Sequence, residues 1–336
     1  MPGEFEIIRR YFAPAAQPTS SVKLGLGDDC ALVQAPNVDE LIAVSTDTLV
    51  EGVHFLSDIE PEDLAWRLVA AAVSDLAAMG AEPLWLSLAL TLPDSDRHWL
   101  EAFQKGLKAS LQTYDIALIG GDTTSGRLRV LTAHVQGSVP AESALTRAGA
   151  KPGDLIYVSG TLGDSRAGLE LLQDTSARLY QALDNQVRSY LINRFLRPTP
   201  RLVLGKALRG LATATIDISD GLLADLTHIL ERSGVSALVN IDKLPISLQL
   251  QQMSDDAQAR QWAATGGEDF ELCFTVPASR KDEVDTLAQT LGLDLSLVGQ
   301  VGLGSGLKTV YAGALWHREA QPGFDHFGET NATCSE

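Results

Sequence analysis

Residues 61–92 read PEDLAWRLVAAAVSDLAAMGAEPLWLSLALTL, and within them the apolar period changes once. As far as Gly80 the spacing is helical: Leu64, Leu68, Ala72, Leu76 and Met79 form one stripe, Pro61 stands at a favoured first helical position, and Gly80 supplies a stop. Beyond Pro83 the period falls to two. Leu84, Leu86, Leu88, Leu90 and Leu92 share one face of a strand, opposite Trp85, Ser87, Ala89 and Thr91. The alternation continues on both sides. Residues 40–46 and 115–119 are apolar runs of strand length, 97–112 reads as a helix, and 128–137 alternates with Val130, Thr132, His134 and Gln136 on one side. Lys151-Pro-Gly-Asp154 has turn residues and no apolar period, and so reads as a domain boundary. After it, strands are expected at 155–159, 213–218 and 270–276, and helices at 166–172, 176–196, 201–211, 222–232 and 279–291. Gly302-x-Gly304-x-Gly306 before Lys308 reads as a hairpin. The expectation is an α/β (α+β) chain of two domains, 1–150 and 151–336, with mixed rather than purely parallel sheets.

Composition narrows the function. A chain of 336 residues suits two domains at about 150 residues each. With 45% hydrophobic residues it can bury a large core, which excludes disorder over most of its length. A formal charge of −17 argues against nucleic acid and anionic membrane surfaces, both of which are bound through Lys and Arg. The acidity is not a terminal tail, since residues 1–150 already carry 20 acidic against 10 basic side chains. Cys30, Cys273 and Cys334 form neither a disulfide framework nor a metal knuckle, which fits a reducing cytoplasm. The opening MPGEFEIIRRYF has charges inside its apolar stretch and does not read as a signal peptide. Arg67, Asp75, Glu82 and Pro83 interrupt the best candidate for a membrane span.

Four segments share one design, an apolar strand ending in carboxylates and small residues: Gly27-Asp28-Asp29-Cys30-Ala31, Ser45-Thr46-Asp47, Gly120-Gly121-Asp122-Thr123-Thr124 and Asp217-Ile218-Ser219-Asp220-Gly221. Any one alone reads as a turn or a helix cap. Asp217 and Ser219, two apart, would point to one face of a strand. Asp75 follows Leu68 by seven residues, which returns it to the apolar side of its helix, where a carboxylate needs a hydrogen bond or a cation. Carboxylates cannot cluster and stay ionised without counter-charge. Several Mg2+ ions and a nucleotide triphosphate would resolve that conflict, which points to metal-assisted phosphoryl chemistry. There is no GxxxxGK[ST] loop, no GxGxxG opening a helix, no HxxxH pair and no GxSxG elbow. The turn Ser159-Gly-Thr-Leu-Gly-Asp164, ahead of a helix, offers backbone N–H groups to a phosphate, or alternatively just lets strand and helix pack closely.

GLGDDCA, STDTLVEGVHF, SDLAAMGAEP, LIGGDTTSG, ALTRAGAKPGD, IDISDGL and GGEDFELCF occur in this order. The set resembles the bacterial thiamine-monophosphate kinases, of the superfamily of aminoimidazole ribonucleotide synthetase and selenophosphate synthetase, and the resemblance covers nearly the whole chain. It implies an aminoimidazole ribonucleotide synthetase-like fold and ATP-dependent phosphorylation of thiamine monophosphate to the diphosphate. It also implies a homodimer joined through the sheets of its N-terminal domains. By matching position, Asp29, Ser45, Thr46, Asp47, Asp75, Asp122, Asp217 and Asp220 would hold Mg2+, with Asp47, Asp122 and Asp220 at the transfer itself. Gly121, Asp122, Arg147 and Ser219 would hold ATP. His54, Glu268 and Phe324 would contact thiamine. The acceptor is a phosphate oxygen already ionised at neutral pH, so in-line transfer needs no strong base. A selenophosphate synthetase would want a reactive Cys in an N-terminal glycine-rich loop, and a hydrogenase-maturation relative a C-terminal Cys. A silent thiamine- or nucleotide-binding protein is the alternative of another class.

Overall fold

A computed structural model of the chain describes residues 4–16, 19–24, 31–174 and 183–316. They belong to two compact units, Met1–Ala144 and Leu145–Glu336.

The first unit contains α1 (Glu4–Ile7), a π-helical turn (Ile8–Phe12), β1 (Val22–Leu24), β2 (Leu32–Val33), β3 (Glu40–Val50), α2 (Pro61–Ala78), β4 (Glu82–Leu92), α3 (Arg97–Thr113), β5 (Ala117–Ser125) and β6 (Val130–Pro140). One sheet has the order β3-β6-β4-β5. Its β4–β5 pair is parallel, and the pairs of β6 with β3 and β4 are antiparallel. The 61–92 stretch folds as its periods dictate. Pro61 opens α2, and Gly80 at φ 65° closes it, the Gly80 and Ala81 N–H groups donating to the carbonyls of Ala77 and Leu76. Leu64, Leu68, Val69, Ala72, Val73 and Leu76 are buried against β3, β6 and α3. Each Leu-sized side chain so placed contributes about 1.5–3 kcal/mol relative to exposure.

Two strands run further than their apolar residues suggest. β3 pairs with β6 from Glu40 opposite Pro140 to Val50 opposite Val130, and β5 pairs with β4 as far as Ser125 opposite Leu92. Asp47 and Asp122 therefore lie inside strands, not at their ends. The face of the sheet away from α2 is covered at Trp85 by the β1–β2 ribbon, where Trp85 Nε1 donates to Ser21 Oγ at 3.1 Å. Along β3 the same face leaves Ile42 and Val44 exposed.

The second unit contains β7 (Leu155–Ser159), α4 (Asp164–Gln173), α5 (Asn185–Leu196), α6 (Leu202–Ala207), β8 (Ala214–Asp217), α7 (Leu222–Ser233), β9 (Ser236–Asn240), α8 (Leu248–Met253), α9 (Asp256–Thr265), β10 (Leu272–Val276), α10 (Lys281–Leu291), β11 (Leu295–Gly302), β12 (Gly306–Tyr311) and β13 (Ala314–Leu315). Its sheet has the order β13-β12-β9-β11-β7-β10-β8, with β9–β12 parallel and the other pairs antiparallel. Ile156, Val158, Ile216, Val239 and Val298 from the strands meet Leu222, Leu226 and Ile229 of α7 in the core. Three details depart from the sequence reading. The Gly302–Gly306 turn is not a hairpin, because β9 lies between the two strands it connects. The expected 201–211 helix is α6, ending at Ala207. The 213–218 strand ends at Asp217, so Ser219 lies beyond the ladder and does not alternate with Asp217. Among the described residues no helix is long and apolar enough to cross a membrane.

Candidate active site

In the first unit, alternation along β3 turns Ser45 and Asp47 toward α2 and Thr46 to the opposite face. Ser45 Oγ donates a hydrogen bond to Asp75 Oδ2 on α2, joining two of the expected ligands directly. Asp75 is half-buried rather than sealed in the core, because α2 is covered on nearly every side and Asp75 sits where it borders β3. Thr46 is not brought to this pair. Its Oγ1 lies 2.7 Å from His134 Nδ1 on β6, across the outer face. His54 occupies the turn after β3, where its own N–H donates to Val50 O at 2.9 Å and its Nδ1 accepts the Val50 N–H at 3.0 Å. That bond requires an unprotonated Nδ1, so the ring proton is on Nε2.

On β5, Gly121 lies opposite Leu88, and a Cβ there would come within 1.9 Å of the Leu88 carbonyl oxygen. No larger residue fits. A pocket opens at this point. Ile8, Phe12, Leu88 and Leu118 form its apolar wall, and Gly120, Gly121, Asp122 and Thr123 its polar one.

In the second unit, Asp217 is buried at the end of β8, and Ser219 and Asp220 are half-buried in the turn that follows. A residue not anticipated from sequence organises this turn. Asp225, in the first turn of α7, accepts the N–H groups of Ser219, Asp220 and Gly221 on one oxygen, each at 3.1 Å. The signal was available: an acid four residues after Gly221, in the first turn of a helix, is well placed to take up unpaired N–H groups. Burial pushes the Asp225 carboxyl up to about 8, the negative charges of Asp217 and Asp220 push the same way, and the N–H groups of Asp220 and Gly221 oppose them. Asp217, Ser219 and Asp220 offer carboxylate and hydroxyl oxygens, the kind of donor that suits Mg2+. The donor sets of both units thus fit the implied metal in kind. Among the described residues, no three His, Cys, Asp or Glu side chains stand close enough to enclose an ion by themselves. Substrate phosphates and water commonly complete an Mg2+ shell.

Arg147 is exposed, and its backbone is fixed beside β8. The Thr146 carbonyl accepts the Thr215 N–H at 2.9 Å, and Ser233 Oγ donates to the Arg147 carbonyl at 3.3 Å while accepting the N–H groups of Gly149 and Ala150 at 3.2 Å. Glu268 has a left-handed backbone, φ 72°, and its N–H donates to Ser219 O at 2.7 Å. Such a conformation costs a non-glycine residue about 1–3 kcal/mol and persists where its surroundings impose it. The Ser159–Asp164 turn already has an anion. The N–H groups of Gly163 and Ser165 donate to the Asp269 carboxylate at 2.6 and 3.1 Å, so these donors serve the protein's own side chain and not a phosphate. Asp29 and Phe324 lie outside the described residues.

Residues 27–139 match the N-terminal domain, and residues 151–312 the C-terminal domain, of the AIR synthase related proteins. A Salmonella typhimurium protein named thiamine-monophosphate kinase is 50% identical over 332 residues, covering 97% of this chain and 98% of its own. The crystal structure of thiamine-monophosphate kinase from Stenotrophomonas maltophilia K279a has a TM-score of 0.84 and 43% identity, over 92% of this chain and 97% of that one. The structure described as AaThiL complexed with AMPPCP and TMP has a TM-score of 0.76 and 33% identity, over 97% of both chains.

Proposed function

The chain belongs to the thiamine-monophosphate kinase family and uses ATP to phosphorylate thiamine monophosphate; from that premise we propose that the γ-phosphoryl group passes directly, in line, to the phosphate of thiamine monophosphate within a cluster of Mg2+-binding oxygens. The observation that carries this is the pocket of the first unit. Its wall of Ile8, Phe12, Leu88 and Leu118 suits a flat base, and its Gly120–Thr123 side lets phosphates approach the backbone and brings them to Asp122. For Mg2+ the first unit would offer the oxygens of Ser45, Asp47, Asp75 and Asp122, and the second unit, taken by itself, those of Asp217 and Asp220, with Asp29 from the residues not described. Bound Mg2+ supplies neutralisation of the charge shared by two anionic reactants. The side chains do the rest. Ser219 and Arg147 orient the nucleotide, the Arg147 fork matching phosphate oxygens. His54 and Glu268 hold the thiamine moiety, where a carboxylate suits a cationic thiazolium, and Phe324 would complete that contact. No side chain is required to take a proton from the acceptor, which is ionised at neutral pH.

Incubation with MgATP and thiamine monophosphate should yield ADP and thiamine diphosphate in equal amounts. ATP made chiral at the γ-phosphorus should give product with inverted configuration. Retention would sink direct transfer, and absence of thiamine diphosphate would sink the kinase assignment.

We further infer a cytoplasmic homodimer joined through the outer face of the β3–β6 part of the sheet. Val44 is 57% and Ile42 47% exposed there, on an edge strand of eleven residues. A long strand that exposes apolar side chains is a pairing surface unless something covers it. Val44→Asp should convert the dimer to a monomer in sedimentation equilibrium. An unchanged mass at micromolar concentration would place the interface elsewhere.

A further inference from the structure

The 266–271 segment draws attention through its backbone. Glu268 and Phe270 both have positive φ, 72° and 50°, and Asp269 stands between them. The two strained residues face the turn of β8 with their N–H groups, Glu268 donating to Ser219 O at 2.7 Å and Phe270 to Ile218 O at 2.9 Å. Gly267 adds to the same contact, since a Cβ on it would come within 2.4 Å of Ser219 O. The side chain between them goes the other way. Asp269 is 1% exposed, and its two oxygens accept the N–H groups of Gly163 and Ser165 at the start of α4. One short segment therefore joins the N-terminus of α4 to the turn carrying Ser219 and Asp220. A left-handed pair of non-glycine residues does not hold itself in place, so something must impose it. The anchor available here is a carboxylate at a helix N-terminus, where partial positive charge and unpaired N–H groups favour it.

We propose that Asp269 is a positioning residue for the phosphoryl-transfer reaction: lodged in the N-terminus of α4, it imposes the left-handed backbone that sets Glu268 toward substrate and holds the Ile218–Asp220 turn in register. The proposal rests on the assignment of Glu268 and Ser219 to the substrates made above. It predicts an effect on kinetic constants through a residue that touches neither reactant. Burial pushes the Asp269 carboxyl up to about 7, while Arg194 and the two N–H donors pull it down, so measurements belong at pH 8, where the carboxylate prevails.

The test uses the full-length protein with MgATP and thiamine monophosphate. Asp269→Asn keeps the shape but loses the charge and one acceptor. It should lower kcat/KM for thiamine monophosphate by about 10–100-fold, the range seen when an outer-shell partner of a functional group is removed, with a clear rise in KM. Ser247→Ala is the control for mere destabilisation. Ser247 Oγ donates to Asp164 Oδ1 at 2.5 Å and accepts the Leu250 N–H at 3.0 Å, bracing the same helix away from residues 268–270. It should lower the melting temperature and leave kcat and KM, per folded molecule, within twofold of wild type. If Asp269→Asn does not accumulate folded, Asp269→Ser, which retains one acceptor, takes its place under the same criteria. Overturning the proposal takes an Asp269 variant that melts early yet keeps both Michaelis constants and kcat within twofold per folded molecule. Wild-type turnover in the same assay judges the kinase assignment separately: an inactive wild type counts against that assignment, and an active wild type with indifferent Asp269 variants counts against this one.

Discussion

Asp47→Asn is expected to lower kcat by on the order of 10²- to 10³-fold, or about 3–4 kcal/mol in transition-state stabilisation, while leaving the protein folded. Asp47 lies well inside β3, with Ser45 on the same face and the Ser45–Asp75 hydrogen bond beside it. The fold is expected to survive the loss of its charge. The strand is held by its ladder to β6, in which Asp47 pairs with Ala133, and Asn occupies the same volume. What the substitution removes is one unit of negative charge where, in the proposed reaction, a divalent cation must be held against two anionic reactants. The loss should therefore depend on the cation. Raising Mg2+ should restore part of the activity, and the half-saturating Mg2+ concentration should rise together with the fall in kcat/KM. A variant with wild-type turnover at limiting Mg2+ would remove Asp47 from the metal set. A collapse of secondary structure by circular dichroism would mean instead that the side chain is structural.

The first unit was legible where local rules and tertiary pairing agree. Pro61, the stripe from Leu64 to Met79, Gly80 and the alternating leucines each dictate the same helix and strand that the fold contains. β3 and β5 extend beyond the runs at 40–46 and 115–119 because Asp47, Thr48, Gly121 and Thr123 stand where an apolar pattern would be needed. Only the neighbouring β6 and β4, remote in sequence, carry those residues on as strand. β9 was invisible for a related reason: its five residues find their place between β11 and β12 through long-range pairing. α8 and α9 are short and bury only Leu250, Ala259, Ala263 and Ala264, too few for a period to declare itself. Of the site, residue identities were readable and orientations were not. Sequence puts Ser45, Thr46 and Asp47 together, and a pleated strand then sends Thr46 to His134 and the other two toward α2. Asp225 and Asp269 escaped notice because their work is to hold backbone, an act that depends on which N–H groups the fold leaves unpaired.

The largest effect on stability should come from Glu271→Ala. Glu271 is the buried hub of the second unit, with 0% of its surface exposed. Its Oε2 accepts from Ser159 Oγ and from Arg201 Nε, both at 2.6 Å, and its Oε1 accepts from Arg194 at 3.1 Å and from a second Arg201 nitrogen. The guanidinium side chains are only 12% and 20% exposed, so neither has ready access to water. Truncating the hub removes the carboxylate that the two guanidinium groups share, leaving Arg194 with the more distant Asp164 at 3.9 Å, and losing one partner of a buried pair costs about 3–5 kcal/mol. At roughly 2–4 °C per kcal/mol for a unit of this size, the melting temperature should fall by on the order of 10 °C. The cause lies in the stranded charge rather than in the lost contact, and that distinction can be measured. Glu271→Leu with Arg201→Leu removes the pair together, and should be more stable than Glu271→Leu alone, since replacing both ions by apolar groups avoids the desolvation of either. A double variant that melts below the single one would show that Arg201 stabilises the fold independently of Glu271. A shift below 2 °C for Glu271→Ala would show that water reaches Arg194 and Arg201 in the folded protein and that the hub is not sealed.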